Sequence, residues 1–141
     1  MKVEMNFDLR RINLDLSKEL NLAAQIIRKD HTNRLNKGLG VNGSKMEPLK
    51  TGQTAPILID TGKMKNLVAS KATKKDQVVI INPGEKQTYP RSNVTMSDVG
   101  GFHQTGAGNL PRREWFGITE KVEKNILQMV DARISQEIRR A

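Results

Sequence analysis

The chain has 141 residues, of which 36% are hydrophobic and 28% charged, and it carries a net charge of +9. This length suits one domain with a single core. Because the chain contains no cysteine, disulfides, thiolate catalysis and cysteine-based zinc sites are excluded, which is compatible with a cytoplasmic origin. No run of roughly 18 apolar residues predicts a membrane span, and the N-terminus lacks the apolar region of a signal peptide.

The basic excess is spread along the chain, and its sharpest local concentration lies between residues 63 and 76. Five cations stand there beside a single acid, Asp76: Lys63, Lys65, Lys71, Lys74 and Lys75. A solvated positive face is the simplest interpretation of such a run. The functional interpretation is a surface that faces DNA or an acidic ring of partner subunits.

The N-terminal half of the chain predicts a strand-like segment and one long helix. Residues 1–14 alternate weakly in hydrophobicity, so we expect an N-terminal arm or an edge strand, followed by a single domain over residues 15–141. A helix is predicted for residues 15–36, with Asp15 or Ser17 as N-cap and Gly38 as the stop. Its apolar face is formed by Leu16, Leu20, Ala23, Ala24, Ile27, His31 and Leu35. We interpret His31 as a packed or interface residue, because no second histidine follows at ligand spacing.

A long loop is predicted for residues 37–56, where glycine and proline break every period. Loops of this length are usually functional or mobile. The sequence GLGVNGSK inside it does not have the spacing of a phosphate-binding loop.

After a short β-prone run at residues 57–59, Asp60 or Thr61 is expected to cap a helix that begins near Gly62 and ends around Ser70. Asp-Thr-Gly is also the signature of aspartic proteases, whose chemistry needs two carboxylates that share one proton. The lysine-bearing amphipathic helix predicted next favours the capping interpretation.

The second half of the chain predicts one strong strand and one more long helix. Residues 77–82 form the strand, with residues 68–74 pairing in part. A short helix capped by Ser97 is expected to run to Phe102 and turn it inward. The last helix should extend from Thr119 to about Arg139, with one apolar stripe. The fold class is therefore α+β: two long amphipathic helices packed on a small, mainly antiparallel sheet, with long loops.

Between these elements, residues 103–117 read HQTGAGNLPRREWFG. Gly106 and Gly108 allow a tight turn, and an extended segment then delivers Trp115 and Phe116, on opposite faces if it is a regular strand. At least one of the two aromatic side chains should be buried. We expect His103 and Gln104 to hydrogen-bond the glycine loop.

This stretch contains no nucleophile–base pair and no metal-ligand spacing, so we predict an assembly and packing element. A hydrolase built on His31, His103 and Asp60 ranks lower, because these residues show no triad pattern.

Two groups of residues also carry a resemblance. His103-Gln104-Thr105-Gly106 is followed, after a short loop, by Pro111-Arg112-Arg113-Glu114-Trp115-Phe116-Gly117, and earlier in the chain stands Asp60-Thr61-Gly62-Lys63-Met64 with Ser70 eight residues after Gly62. In their order along the chain, the two groups resemble the two signatures of the phage virion morphogenesis, or tail-completion, family of Mu-like tailed phages. The chain departs from the family pattern at Arg112 and Glu114, where the family prefers Ala and Pro.

The resemblance implies a structural virion protein of the head–tail junction, not an enzyme, which is assembled in the host cytoplasm. It implies a homo-oligomeric ring of six or twelve subunits around the DNA channel, joined to neck, adaptor, tail-terminator or tail-tube proteins. It implies non-specific contact with channel DNA, no cofactor, no metal and no membrane. The alternative is a small basic DNA-binding protein, which would need a helix rich in Arg, Lys, Asn and Gln.

Overall fold

The computed structural model describes residues 2–6, 14–48, 67–83, 102, 104–106, 108 and 111–140. In chain order the elements are β1 (Val3–Asn6), α1 (Ser17–Lys37), β2 (Leu67–Ala69), β3 (Val78–Pro83) and α2 (Glu120–Arg140). The α+β class is confirmed, since these two long helices accompany a small antiparallel sheet.

The sheet has the order β1-β3-β2, and both pairs are antiparallel. Val79 and Ile81 of β3 are fully buried, and Ile80 between them points to the other face because side chains alternate along a strand. Met5 lies opposite Val79 in the register, and Ala69 lies opposite Ile81. β1 is thus an edge strand, which is one of the two forms expected for the N-terminus.

The predicted helix between residues 62 and 70 is wrong at its end, because Leu67–Ala69 is strand β2. Leu67 is buried and Val68 exposed, so burial here follows a period of two. The strong neighbouring strand supplies the backbone partners, and tertiary pairing overrides a short helical pattern. The pairing expected for residues 68–74 is right in part, since Ser70 N donates to Ile80 O (2.9 Å). Residues 57–66 lie outside the described residues.

Helix α1 matches its prediction to within two residues. Leu16 occupies the N-cap without a side-chain bond, while the Asp15 carboxylate accepts from Ser17 N (2.9 Å). Hydrogen bonds from Ser17 lower the pKa of Asp15 below its ordinary value. Gly38 ends the helix with φ of 68° in the left-handed region, as expected for a C-terminal glycine.

The first part of the predicted loop folds back on itself after α1. Leu39 and Lys45 form an isolated antiparallel bridge, Gly40 N donates to Ser44 O (2.9 Å), and Met46 is buried. The remaining loop residues, 49–56, lie outside the described residues.

Helix α2 begins after Thr119, whose hydroxyl accepts from Val122 N (3.3 Å). Glu120 and Lys124, one turn apart on this helix, form an exposed ion pair of 3.2 Å. Helix α1 contacts both β3 and α2, and the Arg133 guanidinium of α2 reaches the Glu19 carboxylate of α1 (3.2 Å). Since α1 touches the sheet and the other helix, it is the central element of the described fold.

Two side-chain amides fasten the connection between β2 and β3 to the start of α1. The Asn21 amide exchanges two hydrogen bonds with the backbone of Ala72 (2.8 and 3.1 Å). The Gln77 amide accepts from Leu16 N (2.9 Å) and donates to Leu14 O (3.0 Å). Residues 70–77, hereafter the β2–β3 loop, are therefore held against the N-terminal end of α1.

Candidate functional site

Trp115 and Phe116 are both buried, with 0% and 6% of their surface exposed. Their ring centroids lie 5.6 Å apart, and Trp115 lies 5.4 Å from the ring of the buried His31. The expectation of a buried aromatic is met, whereas opposite faces were expected only for a regular strand, and the segment is not one. Residues 111–115 form no strand and the chain bends at Phe116 and Gly117, so both rings enter one core.

Gln104 holds the backbone of these two aromatic residues. Its carbonyl oxygen accepts from Trp115 N (3.0 Å) and Phe116 N (3.2 Å), and its amide nitrogen donates to Phe116 O (3.1 Å). Gln104 was expected to bond the glycine loop, and the observed bonds instead go to the aromatic pair, because the loop brings the two halves of the motif together. His103 lies outside the described residues.

Arg34 holds the same segment from the side of α1. This buried residue donates to Trp115 O (3.0 Å) and, at a longer distance, to Gly117 O (3.5 Å). Its Nε lies 2.8 Å from the Asp30 carboxylate, one turn earlier on the helix. Arg34 thus bridges α1 to the chain entering α2, and the buried charge is compensated by Asp30 and by carbonyl oxygens.

The role of Arg34 was not predicted from the sequence. A signal was present, since Arg34 stands three residues after His31 and seven after Ile27. Those spacings place it on the apolar stripe of the helix, where a lone arginine requires buried acceptors.

Arg113 ties the segment to the loop that follows α1. Only 4% of Arg113 is exposed, and its guanidinium donates to the carbonyl oxygens of Glu47 (2.8 Å) and Pro48 (2.9 Å). Burial lowers the pKa of Arg113 below its ordinary value, and the nearby Glu47 carboxylate acts in the opposite direction. Together Gln104, Arg34 and Arg113 form a clamp around residues 113–117, which we call the clamped segment.

The neighbouring motif residues Arg112 and Glu114 are exposed and form a salt bridge of 2.6 Å with each other. Surface pairs of this kind contribute little to stability, so the departure from the family pattern at these positions is accommodated at the surface. Pro111 is half-buried just before them.

Two glycines allow close backbone approaches around the clamped segment. Gly106 has φ of 71°, and a Cβ there would lie 3.2 Å from Arg112. A Cβ on Gly40 would lie 2.9 Å from Glu114 O, next to the hydrogen bond from Val41 N to that oxygen (2.8 Å). A side chain at either position would force the neighbouring backbone segments apart.

The described members of the predicted basic set lie away from the clamp. Lys71, Lys74 and Lys75 are exposed on the β2–β3 loop, which is fastened at the other end of α1 from Arg34. The helix-start motif, Asp60, Thr61 and Gly62, lies outside the described residues, as do Lys63 and Lys65.

A groove of about 1020 Å³ borders the clamp, between the C-terminal end of α1, the loop after it and the first turns of α2. Its charged lining residues are mixed in sign: Asp30, Glu114, Glu120, Glu123, Arg34, Lys121 and Lys124. Within the described ranges no group of three or more His, Asp or Glu is placed to hold a metal ion. The clamp residues bind backbone atoms of the chain. The groove has no dominant charge.

Comparison of the chain with protein-family models, curated proteins and solved structures finds no match. Among the described residues, no helix combines the length and apolar character that a membrane span requires.

Proposed function

We propose that this chain is a structural virion protein of the head–tail junction of a tailed phage. It would form a homo-oligomeric ring around the DNA channel and join the tail to the head through neck, adaptor, tail-terminator or tail-tube proteins. It would act by shape and contact, with no turnover.

The observation that carries this proposal is how the two halves of the resembling motif meet. Gln104 belongs to the first half and Trp115-Phe116 to the second, and three hydrogen bonds join them. The polar side chain of this motif hydrogen-bonds the backbone of the motif's own aromatic pair. Such an arrangement stabilises a local conformation. This supports the structural, non-catalytic role that the family resemblance implies.

In a ring, exposed surfaces of each chain would contact neighbouring subunits. Heterologous contacts between identical subunits close into a ring when the rotation between neighbours permits it. The mixed-charge groove beside the clamp and the edge strands of the sheet are surfaces that neighbouring copies or neck proteins would cover.

The test is the copy number and position of the protein in particles of a phage that encodes it. Quantitative mass spectrometry of purified virions should give six or twelve copies per particle, and gold labelling of an epitope-tagged chain should mark the head–tail junction. A major capsid protein of known copy number calibrates the count. Absence from virions, or a single copy per particle, would overturn the proposal.

A further inference from the structure

The outward side of α1 is exposed along the whole helix and bears no acidic side chain. By helical periodicity its exposed residues cover about half of the helix circumference, with Arg28 and Lys37 at the two edges; they are Lys18, Leu22, Gln25, Arg28, Lys29, Asn33, Asn36 and Lys37. We call this set the outer face of α1. The two acids of the helix, Glu19 and Asp30, are half-buried and engaged with Arg133 and Arg34.

Helix α2 shows that this bias is not shared by every exposed surface of a basic chain. Its exposed residues include three acids, Glu120, Glu123 and Asp131. Three exposed cations accompany them: Lys121, Lys124 and Arg139. The described exposed charges of α2 are therefore balanced. The four cations of the outer face of α1 form no salt bridge with any described residue.

The β2–β3 loop extends the positive surface at one end of the helix. Asn21 binds Ala72 and follows Lys18 by three residues, so the exposed Lys71 lies near the first turn of α1. Lys74 and Lys75 are also exposed. The carboxylates that accompany these lysines are Asp76 and the half-buried Asp15, which Lys74 influences electrostatically.

The dimensions and chemistry of this surface fit a long polyanion. A 21-residue helix is about 31 Å long, close to the rise of one turn of duplex DNA, about 34 Å. The amides of Gln25, Asn33 and Asn36 stand among the cations, and both kinds of group donate hydrogen bonds to phosphate oxygens. A membrane surface fits less well, because it requires a free apolar face, and the apolar face of α1 packs in the core.

We propose that the outer face of α1, together with Lys71, Lys74 and Lys75, binds the phosphate backbone of duplex DNA without reading its sequence. In the proposed ring this face would be turned towards the channel, and this orientation rests on the proposed function. The binding itself belongs to the single chain and does not depend on the ring.

The experiment is a fluorescence-anisotropy titration of the full chain into labelled 30-base-pair duplexes of two unrelated sequences, at several salt concentrations. Both duplexes should bind with equal affinity. A variant with Lys18→Gln, Arg28→Gln, Lys29→Gln and Lys37→Gln should bind about tenfold more weakly or worse at low salt. Its slope of log affinity against log salt should be smaller by up to about 3.6, since each of the four cations that neutralises a phosphate contributes about 0.9.

The matched control removes the same charge elsewhere, through Lys45→Gln, Lys121→Gln, Lys124→Gln and Arg139→Gln, all at exposed positions. At about 0.15 M salt, where the Debye length is about 8 Å, it should stay within about threefold of the wild type because long-range effects are screened. A second variant with Lys18→Arg, Lys29→Arg and Lys37→Arg keeps the charge and should bind like the wild type.

Three results would overturn the assignment: no duplex binding by the wild type at low salt, equal loss in both glutamine variants, or binding to phosphatidylserine vesicles without binding to DNA. If DNA binding fails while virions contain six or twelve copies, only this inference falls. If DNA binding holds while the protein is absent from virions, the ring proposal falls, and the chain acts as a small basic DNA-binding protein.

Discussion

The two sides of α1 use cationic side chains in opposite ways. On the inner side, Arg34 is buried and its guanidinium is satisfied by Asp30 and by the carbonyl oxygens of the clamped segment. On the outer side, Arg28 and Lys29 are exposed and form no salt bridge with a described residue. A buried, compensated cation fixes the fold, whereas an exposed, uncompensated one remains available to a partner. Net charge alone does not distinguish these two roles.

The largest loss of stability should come from replacing Trp115, which packs against the inner side of α1. Trp115→Ala removes a fully buried ring that packs on His31 and Phe116 and should lower the free energy of unfolding by about 3–5 kcal/mol. Urea denaturation followed by circular dichroism measures this change. Leu127→Ala is the control, since 53% of Leu127 is exposed. Equal stability of both variants would show that the aromatic pair is not an anchor.

A smaller loss is expected at Arg34. Arg34→Met keeps the aliphatic stem but leaves Trp115 O and Gly117 O without this donor and separates Asp30 from its partner, which should cost about 2–3 kcal/mol. The control is Arg28→Met on the exposed side of the same helix, which should change stability by less than about 0.5 kcal/mol. Both are read by urea denaturation. If the two variants were equally stable, the clamp would not depend on Arg34.

The smallest of the three losses is expected at Gln104. Gln104→Ala removes three hydrogen bonds to the backbone of Trp115 and Phe116. Because Gln104 is half-buried, water can replace part of them, and we expect a loss of about 1–2 kcal/mol. Gln128→Ala, at an exposed position of α2, should be close to neutral by the same denaturation assay. If Gln104→Ala left the free energy of unfolding unchanged, the backbone of the aromatic pair would not depend on Gln104.

The sequence predicts the parts of the fold that local chemistry decides. Helices α1 and α2 follow from apolar spacing, the end of α1 from Gly38, the start of α2 from Thr119, and β3 from its β-branched run. Each of these signals acts within a few residues of the element that it specifies.

What the sequence does not predict depends on contacts between distant segments. β2 is a strand because β3 pairs with it, although its own residues suit a helix. Arg34 acquires its role through carbonyl oxygens more than 80 residues away. Phe102 was expected to turn inward and is 44% exposed, because the turn after it directs Gln104 to the aromatic pair instead.

We propose that the buried cation of α1 holds the fold while its exposed cations bind DNA. The most direct measurement is the duplex affinity of Arg34→Met, compared at one salt concentration with that of the variant that neutralises Lys18, Arg28, Lys29 and Lys37. Under conditions where both are folded, we expect wild-type affinity for Arg34→Met and a loss of about tenfold or more for the neutralised variant. Equal loss of affinity in both variants, or loss in Arg34→Met alone, would contradict it.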